Sequence, residues 1–316
     1  GWAGNAASTI GSVVVGGQTY EIESDVVLGV GAQGTVYRGR AVGTGQLVAV
    51  KVFPTWRWIL DTDGADRIAE VDAEAHIGRL LGDHPHIIKE IGVSDIYRDE
   101  MWARAGLQLP HYKVLVMELA NGRQLSDFLV EQGALPEDVA RGLFTQLTDG
   151  VAHMHSRGVL HRDLKPDNIM VVEDSNGQLQ LQIIDFGTAT TESLERKPVG
   201  STIVMPPEVV ALKEGISPTA HSFSWSAPGQ AVTTPQLVGV LGSSSLTGET
   251  TGPAIDIWAL GVLLFACLTG KMPFHREIDI LSANYPRSLL NEVSAEAQDL
   301  LQGVLRREPC DRLSLP

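Results

Sequence analysis

The sequence is poor in cysteine, in basic charge and in long apolar runs, and each shortage closes off a class of protein. Only Cys267 and Cys310 occur among 316 residues, with no CxxC pair and no adjoining histidine motif. A disulfide framework and a cysteine-built zinc site are thereby excluded, and both residues read as buried thiols of a reducing compartment. The longest apolar run, Trp258–Leu268, has 11 residues. A membrane helix takes about 20, so this run reads as a buried helix and no membrane span is expected. Lys and Arg number 24 against 38 Asp and Glu, a net charge of −14. That balance argues against general binding to nucleic acid or anionic membrane and favours neutral or basic partners. The chain opens at Gly1 with no methionine and no signal-peptide pattern. It reads as a fragment or processed form, with a cytoplasmic or nuclear setting expected inside the cell.

What is present is an ordinary globular composition, 43% hydrophobic, enough for one large domain or two joined lobes. Val13–Tyr20 reads as a hairpin turning at Gly16-Gly17, which puts a hairpin extension at residues 1–19. Short strands follow at Tyr20–Gly29, Gly34–Ala41 and Gln46–Phe53, then a helix at Asp66–Leu81 and strands at Ile88–Val93 and Lys113–Glu118. Past Asn121-Gly122 the pattern turns helical. Leu135-Pro136-Glu137-Asp138 opens a helix whose core stripe is Val139, Leu143, Leu147, Val151 and Met154. Two strands, Ile169–Val172 and Leu179–Ile184, precede helices at Ala254–Thr269 and Ser294–Arg306. Strands first and helices later indicate an α+β chain in two lobes. Residues 213–253, rich in Ser, Thr, Gly and Pro and nearly free of charge, read as an insertion without fixed structure.

The chemistry-bearing runs come in a definite order. Gly29-Val30-Gly31-Ala32-Gln33-Gly34-Thr35-Val36 lies between two strands and opens no helix, which argues against a dinucleotide-binding fingerprint. Its glycines let backbone approach phosphate. Val48-Ala49-Val50-Lys51 occupies the next strand, where a lysine on an apolar strand lies at an edge or faces an anion. Glu74 on the following helix can pair with Lys51, with Glu70 one turn earlier as the competing partner. The strongest run is His161-Arg162-Asp163-Leu164-Lys165-Pro166-Asp167-Asn168, followed 22 residues after Asp163 by Asp185-Phe186-Gly187.

These runs, with Pro206-Pro207-Glu208, Asp256-Ile257-Trp258-Ala259-Leu260-Gly261 and Arg312, make the chain resemble the eukaryotic protein kinase superfamily over almost its whole length. Lys165-Pro166 resembles the serine/threonine branch, and Met117–Leu125 is similar to the hinge of calmodulin-dependent-type kinases. The resemblance implies a bilobal kinase fold over 20–316, with a β-rich lobe carrying one key helix (20–117) and a mainly helical lobe (118–316), and ATP in the cleft between them. It implies that Gly29, Val30, Gly31 and Gly34 cover the phosphates and that Val36 and Ala49 sandwich the adenine. The backbone from Glu118 to Ala120 would bind the adenine edge, with Met117 controlling access behind it. Lys51, fixed by Glu74, would meet the α- and β-phosphates, while Asn168 and Asp185 hold Mg²⁺. Asp163 would orient the attacking hydroxyl, Lys165 neutralise the transferring phosphoryl group, and Ser201 contact both. The implied activity is transfer of the γ-phosphate of Mg-ATP to Ser or Thr of a protein substrate. The alternative is a pseudokinase acting as a scaffold, against which intact Lys51, Asp163, Asn168 and Asp185 count heavily.

The pattern also departs from the family. Gly78 stands where a bulky apolar residue stacks on Phe186, so the active arrangement is expected to need a regulatory partner or segment to complete it. Lys197 occupies the usual position of an activating phosphothreonine. Glu195 as a standing charge, or phosphorylation of Thr190, Thr191 or Ser193, are the alternatives, with Arg162 as the receiving cation. Gln124 replaces a glutamate that often selects an upstream arginine in the target, and Val204 replaces a common tyrosine. The 213–253 insertion is either passive or a docking and autoregulatory element.

Overall fold

Contacts divide the computed structural model into two units, Gly1–Asn121 and Gly122–Pro316. The division falls at Asn121-Gly122, where the sequence pattern turns helical, and leaves Glu118–Asn121, which the resemblance assigned to the second lobe, with the first unit. The structure describes residues 11–31, 33–58, 61, 63–96, 112–174, 176–191, 199–214 and 252–315.

The first unit is built on six strands: β1 (Ser12–Val15), β2 (Gln18–Val30), β3 (Thr35–Ala41), β4 (Leu47–Phe53), β5 (Glu90–Ile96) and β6 (Tyr112–Glu118). They form one antiparallel sheet in the order β1-β2-β3-β4-β6-β5. Alternation decides which side chains go inward. Val48, Val50 and Val52 join Val13, Val15, Tyr20, Tyr37, Val114 and Val116 in one buried cluster. On the opposite face Phe53 and Leu115 pack with Trp58 and with Val71 and Ala75 of helix α1 (Gly64–Leu81). Helix α1 buries Val71, Glu74, Ala75 and Gly78, the spacing of a single helical face, so its inner stripe carries one carboxylate and one glycine.

Two sequence readings change here. The β1–β2 hairpin turns at Gly16 and Gly17, both at positive φ (58° and 82°), as a two-residue hairpin loop requires. Yet β1 is no appendage: it is an edge strand of the sheet, and Val15 approaches β5 so closely that a Cβ on Gly92 would lie 2.7 Å from its Cγ1. Strand β5 begins at Glu90 rather than Ile88. Ile87 and Ile88 are buried, but they follow a turn in which Ile87 N–H donates to His84 O (3.2 Å) before the ladder starts.

The second unit carries α2 (Leu125–Gln132), α3 (Glu137–Ser156), α4 (Pro207–Lys213), α5 (Ala254–Thr269), α6 (Glu277–Leu281) and α7 (Ala295–Val304). It also holds a small antiparallel sheet of β7 (Arg123–Gln124), β8 (Ile169–Glu173) and β9 (Leu179–Ile183). Helix α3 buries Leu143, Leu147, Val151 and Met154 as its periodicity predicts, with Ala140 taking the place of the half-buried Val139. Helix α5 is buried from Ile255 through Leu268 and ends at Gly270 in the left-handed conformation, φ 66°. It is a core helix, and no helix among the described residues is long and apolar enough to cross a membrane. Cys267 is buried on α5, its thiol pushed up to about 12 by burial. Cys310 corrects the expectation of two buried thiols: it is exposed, because it sits on the short turn Pro309–Asp311 rather than on a packed face. The core of the 213–253 insertion, residues 215–251, lies outside the described residues.

Candidate active site

In the first unit the glycine-rich turn joins β2 to β3. Gly31 N–H donates to Gly34 O (2.9 Å), and a Cβ on Gly34 would lie 2.5 Å from Val52 O, so only glycine lets this turn lie on β4. Gly29 pairs with Val36 and Val36 with Lys51 across the ladder, while Ala49 pairs with Met117 and Val48 with Glu118. Val30 is largely exposed and Ala49 is buried. Glu118 N–H already donates to Lys89 O (2.9 Å), and Ala120 follows in irregular chain beyond β6.

Lys51 alternates with Val50 and Val52 and so emerges on the α1 face. Its Nζ donates to Glu74 Oε1 at 2.7 Å, with the two side chains only 11% and 3% exposed. The Phe53 ring lies 5.2 Å from the ammonium. Burying both charges demands that they be held together, since either one alone in this setting is costly. Glu70 accepts from Gln33 Nε2 (3.2 Å), while Glu74 holds the lysine.

In the second unit the chain leaving α3 enters the loop 157–168, whose residues cluster around one carboxylate. Asp163 is buried, its Oδ1 accepting from Ser201 N–H (2.7 Å) and its Oδ2 from Lys165 Nζ (2.8 Å). Lys165 Nζ also donates to Ser201 Oγ (2.8 Å). Asn168 Nδ2 donates to Asp163 O (2.9 Å) and lies 3.3 Å from Oδ2. Because a backbone carbonyl can only accept, these bonds identify Nδ2 as the donor and orient the amide, whose acceptor is Asn168 Oδ1. The β8–β9 hairpin brings the two ligand candidates to one end: Ile169 pairs with Ile183, and Ile184 N–H donates to Asn168 O (2.9 Å). Asp185 follows immediately, exposed, at φ 64°.

Positive φ in a non-glycine residue stores strain and concentrates at functional positions. Arg162 (φ 68°) and Asp185 share it, and the surrounding bonds show what holds them. Asp256, fully buried on α5, accepts from His161 N–H and Arg162 N–H (both 2.9 Å) and from His155 Nε2 at 2.9 Å. Burial opposes ionisation of this carboxyl, but the His155 bond, the His155 and His161 charges and the His161 N–H outweigh it and hold its pKa below the usual value. Arg162 Nε donates to Thr188 O (2.6 Å), Thr188 Oγ1 to His161 O (3.0 Å), and Leu160 and Thr190 exchange backbone bonds at 2.9 Å. Phe186 is buried with its ring edge-on to His161 at 5.8 Å. The loop and the Asp185 segment are thus stitched to each other and to α5.

The model of the protein kinase domain matches residues 22–228 and 239–316 of this sequence. The chain belongs to the protein kinase superfamily. Its relatives place it in the serine/threonine branch. It is 30% identical over 91% of its length to the SNF1-related protein kinase catalytic subunit alpha KIN12 of Arabidopsis thaliana. It is 31% identical over 91% of its length to a carbon catabolite-derepressing protein kinase of Candida albicans, and 32% identical over 78% to CBL-interacting protein kinase 20 of Oryza sativa subsp. japonica. The chain spans 48%, 38% and 44% of these relatives. The α+β kinase fold accords with both units described above.

Among the described residues no group of three or more His, Cys, Asp or Glu side chains is gathered as a metal site. The donor set that suits a hard cation here is instead one exposed carboxylate, Asp185, and one oriented amide, Asn168, leaving further oxygens to come from phosphate. Of the phosphorylation candidates, Thr190 is half-buried in its backbone bridge and Thr191 is exposed. Ser193, Glu195 and Lys197 lie outside the described residues. Two participants escaped the sequence reading. His155 carries no motif signal beyond its place next to the last residue of α3. Glu90 lies on β5 over Gly78, and no spacing rule connects the two.

Proposed function

We propose that the chain is an ATP-dependent protein serine/threonine kinase transferring the γ-phosphoryl group of Mg-ATP to a Ser or Thr hydroxyl of a protein. The observation that carries this reading is the Asp163 carboxylate, oriented through both oxygens by Ser201 N–H and Lys165 Nζ and flanked by the Asn168 amide. A carboxylate so held can accept the proton of a substrate hydroxyl as its oxygen attacks the γ-phosphorus and the bond to the β-phosphoryl oxygen breaks. Lys165, already bridging Asp163 and Ser201, neutralises negative charge spreading over the transferring group. Lys51, locked by Glu74, is a fixed ammonium for the α- and β-phosphates. Asn168 and Asp185 would hold Mg²⁺, which supplies charge neutralisation of the phosphates. The glycine turn at Gly29, Val30, Gly31 and Gly34 would cover the phosphates, and Val36, Ala49, Met117, Glu118 and Ala120 would take the adenine.

The net charge of −14 favours basic protein substrates over acidic ones, without specifying a sequence. The test is phosphate incorporation from labelled Mg-ATP into a basic protein, with Asp185→Asn as control. Incorporation on Ser and Thr, lost in the variant, is the expected result. ATP binding with no transfer under any condition would replace this reading by the scaffold alternative.

A further inference from the structure

Gly78 does not leave a hole. A Cβ at this position would lie 2.0 Å from Glu90 Oε2, 2.8 Å from Glu90 Cβ and 2.9 Å from Glu90 Cδ, so the glutamate of β5 lies directly on the bare helix backbone. The Glu90 side chain is only 5% exposed, and its Oε1 is buried with no hydrogen-bond partner, with Arg79 Nη1 3.7 Å away. The charges that reach it from α1 are Arg79 and Glu74, the same Glu74 that holds Lys51. Among the described residues of the strands no charge pairs with it. Its register partner on β6 is Met117, and the neighbouring Lys89 turns its Nζ to Asp83 at 2.8 Å. A half-satisfied carboxyl therefore sits one helical turn from the Lys51–Glu74 pair, in a place that apolar side chains would fill at lower cost.

We propose that Glu90 is a positioning residue for the Lys51–Glu74 pair, holding α1 in place when its carboxyl is neutral and loosening it when the carboxyl ionises. Neutral, Glu90 fills the space over Gly78 and adds no charge beside Glu74. Ionised, it places a second anion near Glu74 and draws its own side chain toward Arg79 and water. Burial and the Glu74 charge raise its pKa, against the pull of Arg79, to about 7, so the transition falls near neutrality and acidification favours the ordered pair. On this proposal the chain itself supplies the filler over Gly78, whether or not a regulatory partner or segment also acts there, and protonation governs that filler.

The inference rests on the kinase reading for its activity readout, and it also has a readout of its own. In the chain as it stands, kcat/KM for ATP is measured from pH 6 to pH 8.5 beside Glu90→Gln, which keeps the shape and cannot ionise. The wild-type value is expected to fall above about pH 7, approaching about tenfold per pH unit, while Glu90→Gln stays level. The Kd for ATP by titration calorimetry is expected to rise over the same range in the wild type and to stay level in Glu90→Gln. A level wild-type profile, or an equal decline in Glu90→Gln, overturns the proposal. Should neither protein turn over ATP, the kinase reading fails separately and the calorimetric pH dependence still decides the role of Glu90.

Discussion

Arg312 meets Glu208 through a fork of two bonds, Nη1 to Oε1 at 2.7 Å and Nη2 to Oε2 at 2.6 Å, with both side chains buried. The remaining guanidinium N–H groups are spent on Arg306 O, Ala254 O and Arg307 O at 2.8–3.0 Å, and the plane lies 5.1 Å from the Trp258 ring. All five donors are thereby used. One residue ties the start of α4, the start of α5 and the chain after α7 together.

Arg312→Ala leaves Glu208 buried without its cation and is expected to cost about 3–5 kcal/mol, the range for breaking a buried pair from one side. Arg312→Lys is expected to recover little, because an ammonium cannot reproduce the planar fork. Urea unfolding of the three proteins checks this. Variants within about 1 kcal/mol of the parent would show that the fork is replaceable by water.

Gly200 precedes Ser201 at φ 92°, and a Cβ there would lie 2.5 Å from Arg162 O and 3.4 Å from Asp163 Oδ1. Gly200→Ala therefore strains the backbone and pushes on the loop that fixes Asp163. The expected result is a fall in kcat of about 10–100-fold, the scale of small misplacements at a reacting centre. KM for ATP should change little, since none of the displaced groups is assigned to the nucleotide base. A larger effect on KM than on kcat would contradict this placement.

The sequence made the strands, the long helices and the order of the chemistry-bearing runs readable, because each rests on local periodicity or on a contiguous motif. Lys51 and Glu74 were legible as candidates, because a lysine on an apolar strand must lie at an edge or face an anion, but the choice of Glu74 over Glu70 was settled by the contact itself. Contacts between distant segments were not legible. Nothing in the spacing joins Glu90 to Gly78, since a bare helix backbone accepts many fillers and only the register of β5 decides which. The start of β5 itself shifted because Ile87 and Ile88 signal burial and not pairing. Cys310 was misjudged for a similar reason: a cysteine beside a proline turn follows the surface, whatever its average preference for the interior.

Asp256 gives the pH prediction. Its carboxyl is held below its ordinary pKa by the net of its partners, so its contribution to stability is present above the unfolded value of 3.8 and is lost as pH falls through the folded value. Asp256→Asn keeps the size but cannot receive the same charge-assisted bonds from His161 N–H, Arg162 N–H and His155. It is expected to lower stability at pH 7 by about 2–4 kcal/mol. The gap between the two proteins should then narrow as pH drops below about 4. Thermal denaturation at a series of pH values decides it, and a gap that is constant with pH would show that packing, not charge, makes the difference.

Gly78 and Glu90 allow a test by exchange of volume. Gly78→Leu alone drives a side chain into the space that Glu90 occupies and is expected to destabilise by about 1–3 kcal/mol, the usual range for overpacking. It should also lower activity by forcing β5 from α1. Glu90→Ala alone removes the buried acid and opens a cavity over the bare helix. The double variant places an apolar filler on α1 where the acid was, removes the unpartnered carboxyl oxygen and replaces a helical glycine, worth about 1 kcal/mol by itself. It is therefore expected to be at least as stable as the parent, and its kcat/KM for ATP should no longer decline on the alkaline side. Thermal melts and the pH profile together decide between filler and function: restored stability with the alkaline decline still in place would mean that some other group titrates, and that Glu90 only fills space.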